Sequence, residues 1–225
     1  MYELFIGDRL FSSWSMRGWL MLRKFDLPHQ THMIGLYRGT MAEDMKALAP
    51  AKLVPALRTP QGVVVGESLA LAETLAEENP DTAMWPKDPA ARATARWLCA
   101  EMISSLNALR GECSMQLRHV WDGFTVSDAV QKDLDRVAAL WAHARTFSNG
   151  DGDGLFGSYS LADVFYTPVA ARIVGYGLPV SDEDRAYCLA LLADPIVQEW
   201  RNEALTVTYD PMPYDLDLPH REWPV

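Results

Sequence analysis

The sequence predicts a chain of two parts, an α/β part with a mixed sheet followed by a part made only of helices. Three observations lead to this fold class. Short apolar runs alternate with helical patterns up to residue 80, a proline-containing segment occupies residues 85–89, and only helical periodicity follows it. At 225 residues the chain is long enough for one or two domains.

The first part has the element order βαβαββα. A Pro-Gln-Gly turn at residues 60–62 joins its last two strands, so they form an antiparallel hairpin and the sheet is mixed. Asn79-Pro80 ends the last helix because proline cannot continue it. In chain order we predict strand 2–6, helix 13–25, strand 29–36, helix 40–48, strands 53–58 and 63–65, and helix 68–78.

The second part follows a linker that contains Trp85 to Pro89. Asp88 is a predicted N-cap for a long helix that runs to about residue 119. Ser160, with Asp163 three residues later, is the signature of a capping box at the start of an apolar and therefore buried helix. Further helices are predicted over 127–147, 182–192 and 195–204, followed by a tail without periodicity.

Composition and charge exclude several classes of function. The formal net charge of −10 argues against nucleic acid or an anionic membrane as the main partner, because both require clustered cations. No apolar run approaches the ~20 residues of a membrane span, and the N-terminus has no basic leader. The chain has three cysteines, Cys99, Cys113 and Cys188, and they are widely spaced. An odd, widely spaced set does not indicate a disulfide framework, so we expect buried thiols and a cytoplasmic location.

The most informative motif combines a proline within a strand-like run with an acid and a hydroxyl at the next helix start. Val54-Pro55 lies within the predicted strand 53–58, where proline is disfavoured except at an edge or a bulge. An edge with free backbone groups can pair with an extended peptide. Gly66-Glu67-Ser68 stands where the next helix begins, and a helix start can hold a carboxylate. The combination indicates a peptide-like ligand with an anionic end.

Three serines, Ser12, Ser13 and Ser15, crowd the start of the first helix. Serine is a preferred N-cap, and one serine suffices for that purpose. The alternative is that a hydroxyl and the helix's partial positive charge stabilise an anion such as a thiolate, whose ordinary pKa of roughly 8.5 they would lower. The residues alone leave capping and catalysis both open.

Two further motifs are weaker. Residues 152–157 match the glycine pattern of a dinucleotide-binding loop. They follow a helix, however, whereas that loop follows a strand, and Asp151 and Asp153 would repel a pyrophosphate. We therefore predict an inter-helix loop at this place. His29 and His32 point to opposite faces of a strand, and the sequence contains no apparent set of metal ligands.

The chain resembles a cytosolic glutathione S-transferase of the serine type, similar to the zeta class and related bacterial transferases. Val54-Pro55 looks like the family's cis-proline strand end, Glu67-Ser68 like its γ-glutamyl-binding pair, and Ser160 to Asp163 like its core-helix capping box. The run from Ser12 to Arg17 is similar to the zeta-class serine motif. The implied domains are a thioredoxin-like α/β domain at 1–80, a linker at 81–89, an all-helical domain at 90–205 and an extended tail at 206–225.

The resemblance gives these residues roles toward glutathione. By position, Ser12 donates its hydroxyl to the glutathione sulfur, with Ser13 beside it as the alternative and Ser15 as a further catalytic candidate. Val54 offers its backbone N–H and C=O to the cysteinyl moiety, and Pro55 in cis turns the chain so that these groups face outward.

The resemblance also implies how the two ends of glutathione are held. Ser68 binds the γ-glutamyl carboxylate and Glu67 pairs with the γ-glutamyl ammonium. Either Lys52 or Arg38 meets the glycyl carboxylate. The implied lining of a second-substrate pocket consists of Trp14, Met102, Ser105 and Leu109.

The implied reaction joins the glutathione thiolate to a hydrophobic electrophile, in a homodimer that uses no metal. A glutathione-dependent cis-trans isomerase of the maleylacetoacetate or maleylpyruvate type is one alternative, and a non-catalytic binding or regulatory protein is another. No cysteine precedes Cys99, so a reductase that forms a mixed disulfide at the start of the first helix is not expected. Trp14 and Met16 stand where the zeta pattern has cysteine and tryptophan, which weakens the case for its isomerase activity.

Overall fold

The structure is a computed structural model that describes residues 1–148, 150 and 152–225. These residues form two compact units, Met1–Met84 and Trp85–Val225. The division falls inside the segment 81–89 that the sequence predicts as a linker. Asp151, one of the two aspartates weighed against dinucleotide binding, lies outside the described residues.

The first unit has the predicted element order βαβαββα. A short 3₁₀ turn, Lys46–Leu48, follows its second helix, so the helix predicted over 40–48 is shorter than expected. The elements are β1 (Tyr2–Ile6), α1 (Ser13–Arg23), β2 (His29–Met33), α2 (Met41–Asp44), β3 (Ala56–Arg58), β4 (Val64–Val65) and α3 (Ser68–Glu78).

Four strands of this unit form the predicted mixed sheet, in the order β2-β1-β3-β4. β2 runs parallel to β1 and pairs His29 with Tyr2. β3 runs antiparallel to β1 and pairs Ala56 with Phe5, and β4 runs antiparallel to β3. Helix α1 packs against β1 and against α3.

The strand around Pro55 differs from the prediction. β3 begins at Ala56, one residue after the proline, and the Val54–Pro55 peptide bond is cis. Because proline has no N–H to donate to a neighbouring strand, the ladder starts only after it. The strand predicted over 53–58 is therefore confined to its second half.

Helix α1 lies very close to the start of β3. A Cβ atom added to Gly18 would lie 2.6 Å from Pro55 Cβ and 3.3 Å from Leu4 Cδ1. Gly18 and Pro55 are both buried. The absent side chain at Gly18 therefore lets the helix pack directly on the proline.

We expect Gly18→Ala to lower the free energy of unfolding by about 1–3 kcal/mol, because the added methyl group overpacks this contact. The loss should appear in urea unfolding even though alanine favours a helix over glycine by roughly 1 kcal/mol. Gly111→Ala is the matched control, since no atom lies within 4 Å of the Cβ position at this helical glycine. An equal loss in both variants would show that close packing is not the cause.

The second unit is mainly helical, as predicted. One of its helices is buried along its whole length, and Ser160 and Asp163 form the predicted capping box at its start. The elements are α4 (Pro89–Ser104), α5 (Asn107–Glu112), β5 (His119–Trp121), α6 (Asp128–Arg145), α7 (Leu161–Gly175), α8 (Asp182–Ala193), α9 (Pro195–Ala204) and β6 (His220–Glu222).

The prediction of one long helix that runs to about residue 119 is wrong in its second half. α4 ends at Ser104, and Leu106 has a φ of 56°, a left-handed conformation that a continuing α-helix does not allow. The side chain of Arg110 donates from Nη1 to the carbonyls of Ile103, at 2.7 Å, and Ser105, at 3.2 Å. These bonds satisfy carbonyl groups left open where the helix ends.

The second unit also contains two strands that the sequence analysis missed. β5 and β6 pair in antiparallel fashion, with His119 opposite Glu222 and Trp121 opposite His220. The segment predicted as an extended tail therefore includes a short strand. The rings of His119 and His220 stack with their centroids 4.3 Å apart.

His119 makes this hairpin sensitive to acid. Burial, the charge of Arg118 and the neighbouring His220 lower the pKa of His119 from 6.5 to about 4. Its Nε2 atom has no hydrogen-bond partner among the described residues, which fits a neutral ring. The unfolded chain therefore takes up a proton at His119 at a higher pH than the folded chain does.

We expect the stability of the second unit to fall as the pH is lowered from about 6.5 toward 4, because protons then bind preferentially to the unfolded state. His119→Phe keeps an aromatic ring but cannot titrate, so its thermal midpoint should fall less over the same interval. Above pH 7 the thermal midpoints of the wild-type protein and of His119→Phe should change with pH by the same amount. Identical acid slopes for the two proteins would contradict the assigned role of His119.

Candidate functional site

The site motifs of the first unit meet at one end of its sheet. β1 ends at Ile6, and the chain then reaches the start of α1 at Ser12. Because β3 is antiparallel to β1, Val54-Pro55 precedes it at this same end. β4 is antiparallel to β3, so it ends here too and leads into Glu67-Ser68. The topology thus brings together three motifs that are far apart in the sequence.

The backbone before Pro55 is open to a ligand. Val54 is half-buried and Pro55 is buried. The backbone N–H and C=O of Val54 make no hydrogen bond to any of the described residues. These two groups can therefore pair with an extended chain in the manner of an added strand.

The start of α3 is built to receive an anion. Glu67, its N-cap residue, has a φ of 63°, and its exposed side chain makes no capping bond to the part of the chain that the structure describes. Ser68 is only 2% exposed, and its Oγ has no hydrogen-bond partner among the described residues. A buried hydroxyl without a partner is costly, so a ligand oxygen at this helix start would restore a missing bond.

The serine cluster at α1 is held by a short chain of hydrogen bonds. Ser12 is the N-cap residue, and its Oγ accepts from the backbone N–H of Ser15 at 3.2 Å. The Ser12 hydroxyl donates to Ser15 Oγ at 2.8 Å, and Ser15 Oγ also accepts from the backbone N–H of Gly7 at 2.8 Å. Ser12 is 9% exposed and Ser15 is completely buried. Of these two serines, only Ser12 retains any exposed surface.

Ser13 and Trp14 occupy the first turn of α1 beside this cluster. The carbonyl of Ser13 accepts a bond of 3.4 Å from Nη1 of Arg17. The guanidinium of Arg17 lies 4.7 Å from the centre of the Trp14 ring, in a cation–π arrangement. Arg17 is 1% exposed, so it supports the helix start rather than presenting its charge to solvent.

Asp8 is a site-forming residue that the sequence analysis missed. Its Oδ1 accepts from the backbone N–H groups of Leu10, at 2.8 Å, and Phe11, at 3.0 Å. Its carbonyl accepts from the N–H of Ser12 at 3.0 Å. An aspartate that bonds the backbone two residues ahead is a known turn former, and this local signal could have identified it. Asp8 thereby fixes the loop that presents Ser12.

The remaining predicted site residues differ in exposure. Lys52 and Arg38 are exposed side chains of the first unit, as a contact to a ligand carboxylate requires. Trp14 and Ser105 are partly exposed. Met102 and Leu109 are completely buried, so in this conformation they present no surface to a second substrate.

Two findings concern other kinds of site. Within residues 1–148, 150 and 152–225, no cluster of His, Cys, Asp and Glu side chains could hold a metal ion, and no helix is long and apolar enough to cross a bilayer. All three cysteines are buried. Burial raises the pKa of the Cys113 thiol to about 12 and also raises that of Cys188, which makes both poor nucleophiles at neutral pH.

The chain matches known proteins in sequence. The family model for the glutathione S-transferase N-terminal domain matches residues 11–78. A probable maleylacetoacetate isomerase from Caenorhabditis elegans is 30% identical over 174 residues, which cover 75% of this chain and 77% of that protein. The chain belongs to the glutathione S-transferase family. Maleylacetoacetate isomerase from Rattus norvegicus is 33% identical over 101 residues, 44% of this chain and 45% of that protein.

Solved structures of glutathione transferases share the fold of this family member. A glutathione transferase homologue from Burkholderia, solved with bound glutathione, has a TM-score of 0.67 at 24% identity and covers 92% of this chain and 99% of its own. An unclassified glutathione S-transferase from Bombyx mori has a TM-score of 0.68 at 20% identity, with 91% and 94% covered. The predicted fold class, a thioredoxin-like domain followed by a helical domain, is confirmed.

Proposed function

We propose that this glutathione S-transferase family member binds glutathione at the sheet end described above and activates its thiol. The observation that carries the proposal is the buried, unpartnered hydroxyl of Ser68 at the start of α3. It faces the same end of the sheet as the unpaired backbone of Val54 and the N-cap Ser12. A tripeptide with a carboxylate at each end and a thiol between them satisfies all three features.

Different residues of the site bind different parts of glutathione. Ser68 and the N–H groups of the first turn of α3 hold the γ-glutamyl carboxylate, and the exposed Glu67 pairs with the γ-glutamyl ammonium. Val54 pairs with the cysteinyl backbone. Lys52 or Arg38 meets the glycyl carboxylate. With a net charge of −10, the protein must attract an anionic ligand through such local groups.

Ser12 is the residue we propose to stabilise the thiolate. It combines the N-cap position with a residue exposure of 9%, whereas Ser15 is completely buried. A helix dipole contributes only about 0.3–1 kcal/mol, less than one pKa unit, so a directed hydrogen bond is needed as well. The thiolate then forms a sulfur–carbon bond with an electrophilic carbon, while the leaving group departs or a double bond takes up a proton.

Binding is the first test. Titration calorimetry with glutathione should show a single site, and the protein should be retained on immobilised glutathione. The absence of binding at millimolar glutathione would overturn the proposal for both catalytic versions. Binding without turnover of any electrophile would instead support a non-catalytic binding or regulatory protein.

A second candidate is a glutathione-dependent cis-trans isomerase, which the names of the two curated relatives favour. In such a reaction glutathione adds to the substrate and then leaves, so it is not consumed. Activity on maleylacetoacetate or maleylpyruvate with unchanged total thiol would support the isomerase. Loss of thiol with a chloronitrobenzene-type electrophile, in equal amounts to product, would support the transferase.

We expect Ser12→Ala to raise the pKa of the bound glutathione thiol by about one unit, because one hydrogen bond to a charged sulfur is lost. The ultraviolet absorbance of the thiolate, followed against pH in the bound complex, measures this shift. Ser13→Ala is the control, and the same substitution there should leave the pKa close to its original value. A larger shift for Ser13→Ala would transfer the proposed role to that residue.

We also propose a homodimer, on the basis of the family resemblance. Light scattering in solution should then give a mass of about twice the 25.2 kDa of one chain. A mass of one chain at all concentrations tested would contradict this assembly.

A further inference from the structure

Ser15 holds an unusual position among the serines at the start of α1. It is the third helical residue after the N-cap, where a side chain often reaches back to the N-cap backbone N–H in a capping box. That N–H, of Ser12, instead donates to the carbonyl of Asp8 at 3.0 Å. The Oγ atom of Ser15 lies 2.8 Å from Ser12 Oγ and accepts from the N–H of Gly7 at 2.8 Å. Helix capping therefore does not explain the Ser15 hydroxyl.

The Ser12 hydroxyl can bond to Ser15 in two ways. The two hydroxyl oxygens lie 2.8 Å apart, and a Ser12 proton donated to Ser15 Oγ is not available to a ligand. A hydroxyl proton can rotate, and each serine oxygen can accept two bonds and donate one. If Ser15 donates to Ser12, then Ser12 Oγ accepts from both the N–H and the hydroxyl of Ser15, and its own proton is released. Ser15 Oγ still accepts from Gly7, so both hydroxyls and the Gly7 N–H remain bonded.

We propose that Ser15 is a positioning residue that donates its hydroxyl to Ser12 Oγ when a thiolate binds. The bonds then run in one direction, from the Gly7 N–H to Ser15, from Ser15 to Ser12, and from Ser12 to the sulfur. Each donor in such a chain polarises the next, which strengthens the last bond by roughly 10–30% for each bond added. Complete burial of Ser15 keeps water from replacing its hydroxyl. The inference rests on the proposed binding of glutathione with its sulfur at Ser12.

The sign of one pKa shift tests this role. Ser15→Ala should raise the pKa of the bound glutathione thiol by roughly 0.2–0.5 units, because Ser12 loses the donor that polarises and orients it. If Ser15 only competes for the Ser12 proton, its removal should instead lower the pKa or leave it unchanged. An unchanged or lowered pKa would overturn the proposal.

A double-mutant cycle separates positioning from simple structural support. Because Ser15 acts through Ser12, Ser15→Ala should cause no further shift in the thiol pKa when Ser12→Ala is already present. Ser15→Thr keeps the hydroxyl and should restore the original thiol pKa even where the added methyl group lowers stability. An equal shift in both backgrounds, or no rescue by threonine, would contradict the relay.

A control for general loosening is available at the far end of the same sheet. Thr59 is buried, and its hydroxyl accepts from the N–H of Val63 at 3.3 Å. Thr59→Val should lower stability without moving the thiol pKa, whereas Ser15→Ala should move both. If Ser12→Ala itself leaves the pKa unchanged, the proposed role of Ser12 fails. If Ser12→Ala shifts the pKa and Ser15→Ala does not, only the relay fails.

Discussion

Replacing Ser68 with alanine is expected to weaken glutathione binding about 10–100-fold without lowering the stability of the free protein. A hydrogen bond to a charged group contributes roughly 1.5–3 kcal/mol, and each 1.4 kcal/mol corresponds to a factor of about ten in affinity. The Ser68 Oγ has no partner within the described residues, so its removal breaks no bond in the free protein. Calorimetric titration and urea unfolding measure the two quantities separately.

A serine at another helix start provides the reverse pattern as a control. Ser127 is the N-cap of α6, and its Oγ accepts from the N–H of Val130 at 3.1 Å. Ser127→Ala should therefore cost about 1 kcal/mol of stability and leave glutathione binding unchanged. Wild-type affinity in the Ser68→Ala variant would show that the start of α3 does not hold the γ-glutamyl carboxylate.

Local patterns predicted the order of the elements in the first unit. The hairpin of β3 and β4 follows from a Pro-Gln-Gly turn between two apolar runs, and the end of α3 follows from Asn79-Pro80. The position of Val54-Pro55 beside Ser12 follows from the antiparallel pairing of β1 and β3. That pairing joins Phe5 to Ala56, which are far apart in the chain, so turns and apolar runs predicted the elements but not this contact between them.

Long-range structure in the second unit was not predictable in the same way. No local signal marks Leu106 as left-handed, since leucine normally favours a helix and its conformation depends on the packing around it. β6 consists of three exposed residues, and its pairing with β5 joins distant parts of the chain. The sequence shows three hydroxyls at this helix start, but only the structure shows that Ser15 is completely buried and accepts from the N–H of Gly7.

The capping box of α7 combines a local signal with a long-range network, and its loss should have the largest effect on stability. Asp163 is completely buried. One of its oxygens accepts from the N–H of Leu155, at 2.9 Å, and from the hydroxyl of Tyr187, at 2.8 Å. The other accepts from the N–H and the hydroxyl of Ser160, at 2.8 and 3.1 Å. The carboxylate thus joins a loop, a helix start and a neighbouring helix.

Asp163→Ala is expected to lower the free energy of unfolding by about 3–5 kcal/mol, because several donors are left buried without an acceptor. Asp163→Asn keeps one oxygen but turns an NH₂ group toward donors, so it should be nearly as costly. Asp88→Ala is the matched control: among the described residues the Asp88 side chain caps α4 through the N–H of Ala91 alone, at 2.8 Å, and its loss should cost only about 1 kcal/mol. Urea unfolding followed by tryptophan fluorescence compares the three variants. Equal losses for Asp163→Ala and Asp88→Ala would mean that the Tyr187 and Leu155 bonds add nothing to a simple cap.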